Sequence, residues 1–158
     1  MKLKNWRKLD MKTISIILIL FLSSCSYHVI KVIDGDTIEV KSKIQSFRVR
    51  LAGIDCPESS QPYGDSAKIK TGEICLNKTV RIEKTGSDKY GRTIAFVTIG
   101  KISLNKTLLA SGLAWHYSYF DHSPEFTQIE MKAKINHLGL WRQSNPIEPC
   151  KYRMLNHK

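Results

Sequence analysis

No apolar stretch in this 158-residue chain is long enough to span a bilayer. The most apolar stretch, Ile14 to Leu22, rises roughly 13 Å as a helix, against a hydrocarbon core of about 30 Å. With 5 Pro and 9 Gly there is too little of either for a collagen-like or low-complexity chain. The 4 Cys include no C-x-x-C pair and the 5 His do not cluster, which argues against a structural zinc site. Acidic residues are scarce: 14 Asp+Glu face 25 Lys+Arg, a net charge of +11 and a pI of about 9.6. What remains is 42% hydrophobic and 25% charged, the balance of one folded domain. Its basic surface attracts polyanions: nucleic acid, anionic lipid or acidic polysaccharide. No internal repeat and no linker interrupts the chain.

The first 25 residues read as a leader. A basic start, the apolar stretch and small residues at its end describe a secretory signal peptide. Leu22-Ser23-Ser24-Cys25 resembles the lipobox of bacterial lipoproteins, which implies cleavage before Cys25 and lipidation of its sulfur. Met11-Lys12-Thr13 directly precedes the apolar stretch, so translation is expected to start at Met1 or at Met11. Five basic residues against Asp10 give the leader +4 and leave +7 for the remainder. The expected location is the bacterial envelope, lipid-anchored at the outer membrane or cell surface, with a secreted or periplasmic protein as the alternative. Lipidation of Cys25 leaves Cys56, Cys75 and Cys150, an odd number for an oxidising compartment; a Cys75–Cys150 bridge is one pairing among those open.

Strands come first in the remainder, then helices. Residues 29–33 and 37–40 are β-rich and broken by Asp34-Gly35-Asp36, a turn signal. Phe47, Val49 and Leu51 alternate with Arg48 and Arg50 in a third strand; residues 79–83 and 93–99 supply two more. Ala67, Thr71, Ile74 and Cys75 recur at helical spacing. Ser103 caps a short helix through Ala110, with Gly112 beyond its end. Ser123-Pro124-Glu125 starts a last helix that stops before Gly139. The expected fold is α+β, mainly β: a five-stranded OB-type barrel with about three packed helices, one domain over residues 26–142, and a C-terminal tail over 143–158.

Asp36, Asp55 and Glu58 fall at or beyond strand ends, in two loops that barrel closure brings together. Converging carboxylates need a counter-charge, and a hard divalent cation with oxygen ligands supplies one. An EF-hand is excluded because Ile38 occupies its fifth ligand position. Arg50 points away from the apolar face of the third strand, and Arg92 stands at the entry to the fifth. Carboxylates, a metal and two guanidiniums suit phosphodiester hydrolysis, with a carboxylate activating water and arginines stabilising transition-state charge.

Three segments in this order resemble the staphylococcal nuclease (thermonuclease) family: Ile33-Asp-Gly-Asp-Thr-Ile-Glu-Val40, Arg50-Leu-Ala-Gly-Ile-Asp-Cys-Pro-Glu58 and Asp88-Lys-Tyr-Gly-Arg-Thr-Ile-Ala95. Gly112-Leu-Ala114 and Gly139-Leu-Trp141 look like later landmarks of that family. The resemblance covers roughly residues 28–142. It implies a calcium-dependent nuclease acting on DNA, RNA or both, with Ca2+ held by Asp36, Asp55 and the backbone carbonyl of Cys56, where the best-known member has Thr. It implies Arg50 and Arg92 as phosphate-binding catalytic arginines and Glu58 as the general base or water-orienting group. Lys89 and Tyr90 match substrate-phosphate contacts, and Asp34 matches an acidic residue beside the metal. Tyr117 and Tyr119 are candidate base-stacking residues, with core packing as the alternative; Trp141 reads as core.

The expected partners are therefore nucleic acid as substrate and a membrane through the lipid on Cys25, with no protein partner and a monomeric chain. Two other classes compete. A non-catalytic nucleic-acid-binding OB-fold module of the envelope would lack key side chains, yet Asp36, Asp55, Glu58, Arg50 and Arg92 are all present. A structural envelope lipoprotein leaves the three segments unexplained.

Overall fold

The computed structural model describes residues 26–156; the leader, with Cys25 and the apolar stretch, lies outside the described residues. Among the described residues no helix is long and apolar enough to cross a membrane.

The chain begins with three strands, β1 (Ser26–Val32), β2 (Thr37–Lys41) and β3 (Ser46–Leu51), followed by the two-residue β4 (Ile54–Asp55) and helix α1 (Gly64–Cys75). Strands β5 (Thr79–Ser87) and β6 (Thr93–Ile99), the short β7 (Ile102–Ser103) and helix α2 (Leu104–Ala110) come next. The short β8 (Trp115–His116), helix α3 (Pro124–Ile135), a 3-10 turn over Gly139–Arg142 and helix α4 (Pro149–Asn156) complete it.

Antiparallel pairing runs β3-β2-β1-β5-β6, and a parallel pairing of β3 with β6 (Arg50 opposite Ile94) closes the barrel. The expected five-stranded OB-type barrel is thus present. Inward-facing Val29, Ile38, Val40, Val49, Leu51, Val80 and Val97 are all at most 2% exposed. Each such side chain contributes about 1.5–3 kcal/mol of burial. The alternation that identified β3 holds: Val49 and Leu51 are buried while Arg48 and Arg50 face outward. Strand β5 outruns its expected end at residue 83 because a bulge between Lys84 and Gly86 lets pairing with β6 continue to Ser87.

Helix signals hold as well. The Ser103 hydroxyl accepts from the Lys106 amide at 3.3 Å and that of Ser123 from the Phe126 amide at 3.4 Å, with Pro124 opening α3. The two late Gly landmarks meet in space, where the Leu140 amide donates to the Gly112 carbonyl at 2.8 Å. Trp141, 8% exposed, is core as expected. Buried Asn105 ties α2 to the barrel, accepting from the Val97 amide at 3.0 Å and donating to the Ala52 carbonyl at 2.8 Å. Cys56, Cys75 and Cys150 are free thiols, so the Cys75–Cys150 bridge is not formed. Residues 149–156, read as part of a tail, form a helix, a fourth beyond the three expected.

Candidate active site

The turn that joins β1 to β2 is held from behind by α1. The Thr71 hydroxyl donates to the Gly35 carbonyl at 2.6 Å. A Cβ on Gly35 would stand 2.7 Å from the Cβ atoms of both Ala67 and Cys56, so only glycine lets the turn sit this close. Within the turn, Asp34 accepts from the Asp36 amide at 3.0 Å, the geometry of an Asx turn. Asp36 is thereby aimed across to β4 and the loop after it, where it accepts from the Cys56 amide at 2.6 Å.

Arg50 is the point where the two loops converge. Its Nη2 lies 3.1 Å from Asp36 Oδ2 and 2.6 Å from Asp55 Oδ1, while Nη1 donates to the carbonyls of Leu51 (3.0 Å) and Ile54 (2.9 Å). Asp36 and Asp55 are both buried, at 6% and 2% exposed. Burial pushes the Asp36 carboxyl up to about 7; the Arg50 charge opposes it, and the neighbouring Asp34 and Asp55 add to the rise. For Arg50 the balance reverses: burial disfavours its charge, but Asp36 and Asp55 outweigh burial and raise its pKa. Burial raises the Cys56 thiol well above its usual range; a hard cation prefers oxygen, which this residue offers in its carbonyl.

Glu58 sits one turn beyond Cys56, its amide donating to Gln61 Oε1 at 2.8 Å and its side chain 38% exposed. The start of α1 presses on this loop, because a Cβ on Gly64 would fall on the Glu58 carbonyl oxygen. Arg92 approaches from the other side. Asp88 accepts from its Nε at 2.7 Å and from its amide at 3.0 Å, and Nη1 reaches Thr37 Oγ1 at 3.3 Å. The Thr37 hydroxyl in turn donates to Asp36 Oδ1 at 3.3 Å, which links Arg92 to the buried carboxylates.

Arg50 and Arg92 differ in what they have left to offer. A guanidinium carries five N–H donors. Four of those on Arg50 are committed to Asp36, Asp55 and the two carbonyls. Two of those on Arg92 have partners among the described residues, which leaves three without one. Lys89 and Tyr90 stand beside Arg92, with Tyr90 72% exposed and both Lys89 Nζ (5.1 Å) and Arg92 Cζ (5.7 Å) over its ring. Tyr117 and Tyr119 line a groove of about 340 Å³ that opens from Asp55 along Trp115, Phe120 and Cys150. Neither tyrosine is buried, so core packing does not account for them.

One residue of the site escaped the sequence reading altogether. From α4, Arg153 Nη1 reaches Glu58 Oε1 at 2.6 Å and Nη2 reaches Asp55 Oδ2 at 2.9 Å. Nothing local marks it, since the contact joins positions 95 and 98 residues apart.

The donor set fits a hard cation. Asp36 and Asp55 converge to within reach of a single nitrogen, and their donors are oxygens. Among the described residues no three His, Cys, Asp or Glu side chains form a metal cage, so a cation held here draws its other ligands from carbonyl oxygen and water.

A closed OB-type barrel with buried carboxylates, arginines and an outward-facing glutamate at one rim is the architecture of a phosphodiester hydrolase. A family model described as Staphylococcal nuclease homologue matches residues 48–143. A Haemophilus influenzae protein named as an endonuclease is 38% identical over 138 residues, covering 84% of this chain and 78% of its own. A micrococcal nuclease of Shigella flexneri is 34% identical over 137 residues, covering 80% and 79%. A staphylococcal-like nuclease of Arabidopsis thaliana is 34% identical over 123 residues, 78% of this chain but only 38% of that protein. The chain belongs to the staphylococcal nuclease family, and its class is that of a nuclease-type hydrolase.

Proposed function

We propose that this protein is a calcium-dependent nuclease that hydrolyses phosphodiester bonds of DNA or RNA at the rim defined by Asp36, Asp55, Glu58, Arg50 and Arg92. The observation that carries the reading is the convergence of Asp36 and Asp55, from separate loops, on the one Nη2 of Arg50. Two buried carboxylates held this close favour a cation.

Asp36, Asp55 and the Cys56 carbonyl would hold Ca2+, which when bound supplies Lewis-acid polarisation of a phosphate oxygen. Arg50 fixes the two carboxylates and keeps one donor, Nε–H, for a phosphate. Arg92 presents three N–H groups to equatorial oxygens as negative charge builds on them. Glu58, reachable from solvent, takes the proton of an attacking water. Lys89 and Tyr90 extend the cationic face for a neighbouring phosphate, and Tyr117 and Tyr119 offer ring faces to a base. At the other end of the chain, a lipid on Cys25 would hold the barrel at the envelope.

The test is cleavage of single-stranded DNA, duplex DNA and RNA by the mature protein, with calcium and with chelator, for wild type and Glu58→Gln. Chelation is expected to abolish cleavage and calcium to restore it. Glu58→Gln is expected to lower turnover by about 10²–10⁴ while substrate binding persists. Full activity in excess chelator, or wild-type turnover in the variant, overturns the assignment.

A further inference from the structure

The C-terminal helix belongs to the site. Asp55 has no oxygen free of arginine: Oδ1 takes Arg50 at 2.6 Å and Oδ2 takes Arg153 at 2.9 Å. Arg153 also holds Glu58 at 2.6 Å, so one guanidinium straddles a ligand carboxylate and the carboxylate assigned to water activation. A charge-assisted fork of this kind is among the stronger polar contacts a protein makes.

We propose that Arg153 is a tethered counter-cation that competes with the divalent metal for Asp55, so that metal binding requires α4 to withdraw. The inference rests on the metal reading above. The residue that yields is decided by anchoring. Arg50 stands on barrel strand β3 between Thr37 of β2 and Ile94 of β6, is 14% exposed in its side chain and is fixed by two carbonyls besides its carboxylates. Arg153 is 34% exposed and rides on a helix of 8 residues in which only Pro149 is buried. That helix is moored to the Glu58 loop by few contacts: Tyr152 Oη to Ser60 Oγ at 3.0 Å, and, just before the helix, Gln61 Nε2 to the Ile147 carbonyl at 3.2 Å. Elements with so little buried surface are the first to open.

Charge balance points the same way. Asp36, Asp55 and Glu58, with Asp34 beside them, share two paired arginines, Arg50 and Arg153. Exchanging the single charge of Arg153 for a divalent ion moves the cluster towards neutrality. It also releases Glu58 from an ion pair that covers one of its oxygens. The mooring runs through Ser60 and Gln61, so α4 grips the same loop that carries Glu58, and seating and release act on one segment.

Two measurements on the full mature chain test this. Calcium titrated by calorimetry is expected to bind Arg153→Gln about tenfold more tightly than wild type, the scale of one strong ion pair removed from the competing state. In wild type, calcium is expected to speed backbone hydrogen exchange over residues 149–156 about tenfold while the barrel strands stay protected. Unchanged or weaker calcium affinity in Arg153→Gln, or α4 exchange indifferent to calcium, overturns the competition and leaves the metal site standing. Absence of calcium binding in both proteins overturns the metal reading, and the competition with it.

Discussion

The two arginine corners of the site are built on opposite plans. Arg50 is enclosed, with its donors spent on two buried carboxylates and two carbonyls. Arg92 is held at one edge by Asp88 and keeps most of its donors towards solvent. The buried corner couples folding to charge, because each partner there would be stranded without the other. The open corner couples only function to charge, since water solvates whatever is left behind. Substitutions at the two corners should therefore part ways between stability and activity.

The largest effect is expected at the enclosed corner. Arg50→Ala leaves Asp36 with no other ion-pair partner among the described residues, although Asp55 keeps Arg153. Stranding a buried charge in this way costs about 3–5 kcal/mol, enough to unfold a marginal domain. Chemical denaturation should show that loss together with loss of cleavage. A stability change under about 1 kcal/mol would mean that the buried corner is more wetted than its geometry indicates.

Next comes the dependence on pH. The Asp36 carboxyl, raised by burial from an ordinary 3.8 to about 7, binds its proton more readily folded than unfolded. The metal-free protein is therefore most favoured by this group below about pH 4, and loses that contribution as pH rises through 7. The loss amounts to at most about 4 kcal/mol. Asp88, at the open corner, behaves in the opposite sense. Some burial disfavours its charge, but its hydrogen bonds to Arg92 and Tyr90 prevail and lower its pKa, so its contribution is lost only as pH falls below 3.8. Thermal unfolding in chelator at pH 5 and pH 8 should show the higher midpoint at pH 5, and Asp36→Asn should flatten the difference. Persistence of the slope in Asp36→Asn would move its origin elsewhere.

The same contrast explains what could be read in the sequence. Arg50 betrayed itself by alternating with Val49 and Leu51, and the Asp34-Gly35-Asp36 turn by its composition between two β-rich runs. Ser103 and Ser123 announced their helices, since a cap is a local device. Asn105 and Arg153 did not, because their work is done across 53 and 98 residues of chain, and no periodicity records such a contact. Helix α4 was invisible for a related reason. It is only 8 residues long and buries only Pro149, and it stays in place largely through polar contacts with Ser60, Asp55 and Glu58.

The smallest effect on stability, and the sharpest test of the contrast, is Arg92→Ala. The Arg92 guanidinium is 28% and its partner Asp88 18% exposed in the side chain, and Asp88 keeps the amides of Tyr90 and Arg92 as donors after truncation. Neither group is stranded, so the stability change should stay within about 1 kcal/mol. Cleavage is a different matter. Arg92 has more donors without partners than Arg50, and removing one preorganised donor of transition-state charge costs about 10²–10³ in rate. The expected signature is a protein that unfolds at nearly the wild-type denaturant midpoint yet turns over hundreds of times more slowly. Arg92→Lys should retain stability and recover only part of the rate, because an ammonium replaces the charge without the planar fork. Equal loss of stability at both corners would show that Arg92 serves the fold rather than the phosphate.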